Sequence, residues 1–295
     1  MCLEGLAALD SDDEVRTMNT LRVGHSPDPD DAFMFYGIAK GKVGISGYEV
    51  QHVVEDIESL NKRALKGELE VTAISAAVYP QVAQHYRILA CGASVGRNYG
   101  PILLARQSMT LADLKGKRVG VPGEFTTAYL LLRIYAFGFT PVFQPFDQIM
   151  GEVSKGAVDA GLIIHEGQIT HPTSGLVKVA DLGQVWFKDT GLPIPLGLDV
   201  VHRRLGDEMG QRVFDLLSGS IDAAMKHERE AVVYSQEYGR GLDFESCKRF
   251  VRMYVNDDTV QMGQEGKRAL EVLFAKARQK GLTASVPPLD IVGLA

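Results

Sequence analysis

"LRVGHSPDPDDAFMF", residues 21–35, and "KRVGVPGEFTTAYLL", residues 117–131, follow one plan. Each opens with Arg-Val-Gly in a short strand-like run, passes through a Pro-containing turn and enters an apolar helical segment. A second match follows in the same order: "IESLNKRALKGELEVTAIS" (57–75) against "FDQIMGEVSKGAVDAGLII" (146–164). In both, a helical pattern ends in Lys-Gly, the glycine stop of a helix C-terminus, and a strand follows. Apolar positions agree at helical spacing, Ile57, Leu60 and Ala64 against Phe146, Ile149 and Val153. Any two strand–helix units share some features, but two matches in one order favour two similar α/β lobes.

Strand-like and helix-like segments alternate through residues 20–200, the pattern of an α/β fold. The lobes are expected at 20–105 plus 200–295 for the first, which is discontinuous, and 106–199 for the second, behind a disordered extension at 1–19. "GLPIPLGLDVVHRR" (191–204) reads as the crossing back into the first lobe, stiffened by Pro193 and Pro195. From Leu205 onward the pattern is helical, with one-sided apolar faces in "RVFDLLSGSIDAAMKH" and "KRALEVLFAKARQKG" and a loop at "EYGRGLDFE". A ligand belongs between the lobes, beyond the C-terminal ends of the strands.

The bulk composition excludes several classes. The 295 residues are 45% hydrophobic and 23% charged, with a net charge of -6, ordinary for a globular protein and wrong for a general nucleic-acid binder. No apolar run approaches the ~18 residues of a membrane helix. Within residues 1–17, Glu4, Asp10, Asp12, Asp13 and Glu14 stand against Arg16 alone. That opening has no basic region and no apolar core, so it does not read as a secretory signal, and Met18 reads as the start. Three scattered cysteines, Cys2, Cys91 and Cys247, with no CxxC, predict a reduced, cytoplasmic protein without disulfides or a cysteine-based zinc site.

Several motifs then place candidate residues. In "GLIIHEGQITH" (161–171) an apolar strand is followed directly by His165 and Glu166. The repeat aligns His165 with Ala76, so both follow equivalent strands and face the cleft. A lone histidine is more often structural than catalytic, but the strand-end placement and the adjacent Glu166 keep both readings open. As a general base its intrinsic pKa suits proton transfer near neutrality. Glu166, its neighbour on the chain, is expected to point away and to bind backbone or the other lobe. In "EFTTAYLLLRIYAFG" (124–138) a helix is predicted to start near Thr126, which caps it; the free amides there are either simply capped or an anion site that includes Thr127. In "VTAISAAVYPQVA" (71–83) the small residues Ser75, Ala76 and Ala77 either make a tight turn or let backbone approach a ligand. In "HSPDPDDAFMFYG" (25–37) Asp28 is expected to cap a helix starting at Pro29, with Asp30 and Asp31 complementing its dipole, and His25 and Ser26 lining the cleft. D-P-D-D matches no Ca²⁺ loop, so no metal is assigned. "GASVG" (92–96) lacks the helix a nucleophile elbow needs, "GIAKGK" lacks P-loop spacing, and no dinucleotide fingerprint exists.

"LADLKGKRVGVPG", "KGAVDAGLI", "HSPDPDDAFMFYG", "VPGEFTTAYLLL", "GLIIHEGQITH" and "GLPIPLG", spread over roughly residues 20–200, carry a resemblance to type 2 periplasmic-binding-protein folds. Within that superfamily the chain is similar to the 1,4-dihydroxy-6-naphthoate synthase family of the futalosine route to menaquinone. The resemblance implies a cofactor-free lyase that breaks cyclic dehypoxanthine futalosine into the dihydroxynaphthoate and a ribose-derived part. It implies His165 as proton acceptor, with Ser75, Ala76, Ala77, Thr126 and Thr127 holding a small aromatic carboxylate. No nucleic-acid or membrane partner is implied, and a homodimer is left open. The family opening is closer to S-P-C-P-N-D, so Asp28 and Asp30 are departures, two extra carboxylates expected beside the cleft, where they would alter anion binding. Chorismate dehydratase, of the same fold and pathway, and a solute-binding protein for a small carboxylate stand as alternatives.

Overall fold

The computed structural model describes residues 18–294. The extension expected at 1–19 therefore lies outside the described residues, apart from its last two. Of those, Asn19 opens the first strand, pairing with Tyr48 rather than remaining disordered.

The first lobe begins with strand β1 (Asn19–His25), helix α1 (Pro29–Ala39), β2 (Tyr48–Val54), α2 (Ile57–Leu65), β3 (Val71–Ser75), the short α3 (Tyr79–Val82), β4 (Tyr86–Leu89) and β5 (Ser94–Gly96). The chain then enters β6 (Ile102–Ala105), β7 (Arg118–Val121), α4 (Thr127–Tyr135), β8 (Thr140–Phe143), α5 (Phe146–Lys155) and β9 (Ala160–Ile163). A short α6 (Gly167–Thr170), β10 (Val177–Asp181) and α7 (Leu182–Thr190) precede the long return strand β11 (Ile194–His202). Helices α8 (Gly206–Lys226), α9 (Glu228–Gln236), α10 (Phe244–Tyr254), α11 (Asp257–Val260) and α12 (Gly263–Gln279) lead to β12 (Ile291–Val292). None of the described helices is long and apolar enough to cross a membrane.

Two sheets result, ordered β12-β4-β11-β3-β1-β2 with β5 also on β11, and β10-β6-β9-β7-β8. The repeat is visible in the pairing. β1 lies parallel between β2 and β3, and β7 lies parallel between β8 and β9. An antiparallel strand then borders each set, β11 beside β3 and β6 beside β9. These bordering strands are exchanged. Ile102–Ala105, assigned from sequence to the first lobe, pairs in the second sheet, and Ile194–Asp199, assigned to the second lobe, pairs in the first. Antiparallel pairing across such distances leaves no local mark in the sequence.

The repeated glycine has a packing cause. A Cβ at Gly24 would lie 2.9 Å from Leu60 on α2, and one at Gly120 would lie 3.2 Å from Ile149 on α5. Leu60 and Ile149 are the residues the repeat aligns. In each lobe the helix presses onto the strand at a glycine, with less than ordinary contact room for a Cβ. Helix ends obey local rules: Asp56 accepts from the amides of Glu58 and Ser59, and Gly156 stops α5 at φ 79°. The largest buried cluster joins both lobes, with Tyr79, Trp186, Leu131 and Phe274 in one contiguous core.

Candidate active site

A cavity with ≈ 730 Å³ of empty space opens between the sheets, at the C-terminal ends of β1, β3 and β9. His165 lines it. Strand β9 stops at Ile163, so His165 stands two residues beyond it, with φ at 57°. A bulky residue in the left-handed region is uncommon and strained, and such strain clusters at functional sites. This conformation corrects the expectation of strand-like alternation. Glu166 lies in the following turn, and its carboxylate meets Arg240, 3.0 Å away, from the α9–α10 loop of the first lobe.

Asp28 holds the imidazole. Its Oδ2 lies 3.1 Å from His165 Nδ1 and accepts the Ser26 hydroxyl at 2.6 Å, while Oδ1 accepts from Arg240 Nη1 at 3.0 Å. Asp28 is 1% exposed. It does occupy the N-cap position of α1, but its side chain makes no capping bond and is turned instead to these three partners. A carboxylate only accepts, so Nδ1 carries a proton, and in the neutral ring that tautomer leaves the lone pair on Nε2. Nε2 has no protein partner among the described residues. Phe146 packs its edge against the ring at 4.5 Å, with Arg240 over the Phe146 ring at 4.6 Å.

Of the other expected residues, Ser26, Ser75, Thr126 and Thr127 line the cavity. Thr126 caps α4, accepting from the Tyr129 amide at 3.2 Å. The Thr127 hydroxyl accepts the Ala77 amide at 3.1 Å and donates to Leu196 O at 2.7 Å, tying β3, α4 and β11 together. The amides of Thr127 and Ala128, in the first turn of α4, have no acceptor among the described residues and border the cavity. The Ser75 hydroxyl accepts from Asn61 Nδ2 at 3.0 Å, leaving its own proton to donate. Ala76 and Ala77 do not line the cavity: Ala76 is fully buried and Ala77 contributes its amide to Thr127. His25 does not reach it either. Its Nε2 bonds His52 Nδ1 at 3.0 Å, its ring stacks on Phe35 at 4.6 Å, and burial with the His52 charge lowers its pKa to about 4.

Sequence reasoning placed Asp30 beside the cleft but missed Asp31 and Asp199, which complete an acidic wall. Asp30 and Asp31, read as helix-dipole partners, are buried and line the cavity together with Asp199 of β11. Burial pushes Asp31 up to about 7 against the bond from the Ser26 amide, and pushes Asp30 and Asp199 well above the carboxylate range. It also missed Glu58. From α2 this carboxylate accepts the Glu124 and Phe125 amides across the cleft, at 3.0 and 3.1 Å, where Gly123 leaves room for it. The protein therefore supplies its own anion just ahead of α4. Burial raises the Glu58 pKa, opposed by those amides and Lys62.

A family model described as menaquinone biosynthesis matches residues 21–279. The chain belongs to this family. Among curated relatives of the family, a 1,4-dihydroxy-6-naphthoate synthase from Thermus thermophilus is 43% identical over 92% of this chain and 98% of its own length. One of the same name from Streptomyces coelicolor is 38% identical over 92% and 97%. A crystal structure of an Archaeoglobus fulgidus protein superposes with TM-score 0.86 at 47% identity, over 90% of this chain and 98% of that one. The alkanesulfonate-binding protein of Xanthomonas axonopodis superposes with TM-score 0.68 at 16% identity, over 92% and 96%, which shows the periplasmic-binding-protein-like fold alone. The chain is thus a menaquinone-biosynthesis family enzyme on that fold.

Proposed function

We propose that the protein is a cofactor-free lyase that converts cyclic dehypoxanthine futalosine to 1,4-dihydroxy-6-naphthoate, with His165 as general base. One observation carries the reading: His165 lines the cavity with Nδ1 fixed by Asp28 and Nε2 without a hydrogen-bond partner among the described residues. A base must lie within hydrogen-bond reach of its proton in a defined tautomer, and this arrangement supplies the tautomer. His165 takes a proton from the substrate, and the imidazolium so formed is stabilised by the Asp28 carboxylate beside it. The relatives' names support the assignment of product.

The substrate's aryl carboxylate sits at the start of α4, on the Thr127 and Ala128 amides and the Ser75 hydroxyl, where the helix dipole favours an anion. Ile57, Ile74, Ile164 and Leu196 supply the apolar walls for the ring. Glu58 on the Glu124–Phe125 amides and Arg240 between Asp28 and Glu166 hold the lobes together and exclude water during the step.

Purified protein incubated with cyclic dehypoxanthine futalosine, followed by chromatography and mass spectrometry, tests the assignment. Naphthoate should appear. Consumption of chorismate instead would assign the protein to the dehydratase reaction, and binding of either without turnover would make it a binding protein.

A further inference from the structure

Asp199 and Asp30 are placed in a way that stability does not explain. Asp199 is 1% exposed and makes no hydrogen bond to either oxygen among the described residues; its Oδ1 is buried without a partner. Asp30 Oδ1 is likewise buried and unpartnered, and its Oδ2 receives a long bond of 3.4 Å from the Ser94 hydroxyl. A buried carboxyl oxygen left unpaired costs about 1–3 kcal/mol. No cation offsets the cost, because Arg240 pairs with Asp28 and Glu166 and no salt bridge reaches Asp30, Asp31 or Asp199 among the described residues. Both side chains line the cavity, alongside Ser94, Gly92, Phe250 and Tyr254. Gly92 is part of the arrangement, since a Cβ there would meet Asp199 Oδ2 at 2.1 Å.

We propose that Asp30, Asp199 and Ser94 form a subsite for the hydroxyl groups of a neutral polyol moiety of the ligand. The proposal deepens the function above, assigning this wall to the ribose-derived part of the substrate and the α4 end to its aryl carboxylate. The chemistry follows from the wall itself. Held neutral by burial, the wall has no charge to attract a cation, and no cationic side chain forms a salt bridge with it among the described residues to hold an anion. A metal ion would need them converging, and no group of three or more His, Cys, Asp or Glu among the described residues is so arranged. Burial and mutual repulsion favour the protonated acids, each of which then offers one donor and one acceptor. That pattern matches sugar hydroxyls, which also donate and accept. Tyr254 and Phe250 provide the flat apolar surface on which the carbon face of such a moiety rests.

Isothermal titration of the full protein tests the assignment, with Asp199→Ala, Asp199→Asn and Asp30→Ala as variants. Asp199→Ala should weaken binding of cyclic dehypoxanthine futalosine about tenfold, roughly the loss of one hydrogen bond, and leave 1,4-dihydroxy-6-naphthoate, which has no sugar part, within about twofold. Asp199→Asn, which keeps a donor and an acceptor, should restore most of the loss. The melting temperature of Asp199→Ala should equal or exceed that of the wild type, because no protein hydrogen bond is removed and a buried unpaired carboxyl is. Equal loss for both ligands, or loss for neither, in both alanine variants would overturn the subsite. If the wild type fails to bind the futalosine compound, the substrate assignment falls separately. Ribitol is then the probe: a thermal shift abolished by Asp199→Ala upholds the polyol subsite, and no shift overturns it.

Discussion

His165 Nδ1 lies 3.1 Å from Asp28 Oδ2, so a residue that follows a strand of the second lobe is oriented by one that begins a helix of the first. The imidazole is therefore held in this orientation only while the lobes are together. Asp28→Asn should lower kcat by about 10²-fold or more, within the range that a positioned base contributes, and change KM little. The amide can donate as well as accept, so it no longer enforces the Nδ1–H tautomer. Steady-state kinetics with the full substrate provide the check, and an unchanged kcat would remove Asp28 from the positioning of His165.

Glu58 is the second cross-lobe contact, bound to two amides of the Gly123–Phe125 turn. Glu58→Ala removes both bonds, each contributing about 0.5–1.5 kcal/mol to the closed form. KM should rise about tenfold or more with a smaller fall in kcat, and small-angle scattering should report a more open particle. A fall in kcat alone would contradict the role of a latch.

His25 makes a pH prediction. Burial, then the His52 charge, lowers its pKa to about 4, against 6.5 for an exposed histidine. As pH falls from 6.5 towards 4, the unfolded chain takes up a proton that the folded His25 refuses, so stability is lost over that window and not above it. Relative to wild type, His25→Phe should gain roughly 1.4 kcal/mol per pH unit as pH drops from 6.5 towards 4, and its relative stability should be constant above pH 6.5. Urea denaturation at several pH values measures the difference. A difference independent of pH throughout would show that His25 accepts its proton in the fold.

Legibility in the sequence tracked locality. The two lobes could be read because Gly24 and Gly120 lie under Leu60 and Ile149, a packing unit that recurs within about 40 residues of chain each time. The exchange of β6 and β11 could not, since antiparallel pairing between distant strands leaves no period. Ser75, Thr126, Thr127 and His165 were found as strand ends and helix starts. Asp28 and Asp30 were read at the helix start and beside the cleft, but the contact of Asp28 with His165 and the place of Asp31 in the wall were not, because acids at a helix start satisfy the dipole argument whether or not they face a cavity. Their partners, Arg240 at a separation of 212 residues and Asp199 inside a β-strand, carry no motif. The unexpected pair of acids in S-P-D-P-D-D was the available signal.

The most direct test of the account compares wild type with His165→Ala in a single-turnover assay with cyclic dehypoxanthine futalosine, alongside titration of the same ligand. The account predicts naphthoate release by the wild type, a loss of about 10²–10⁴-fold or more in the variant, and ligand affinity retained within about threefold. Turnover by His165→Ala at the wild-type rate would contradict it.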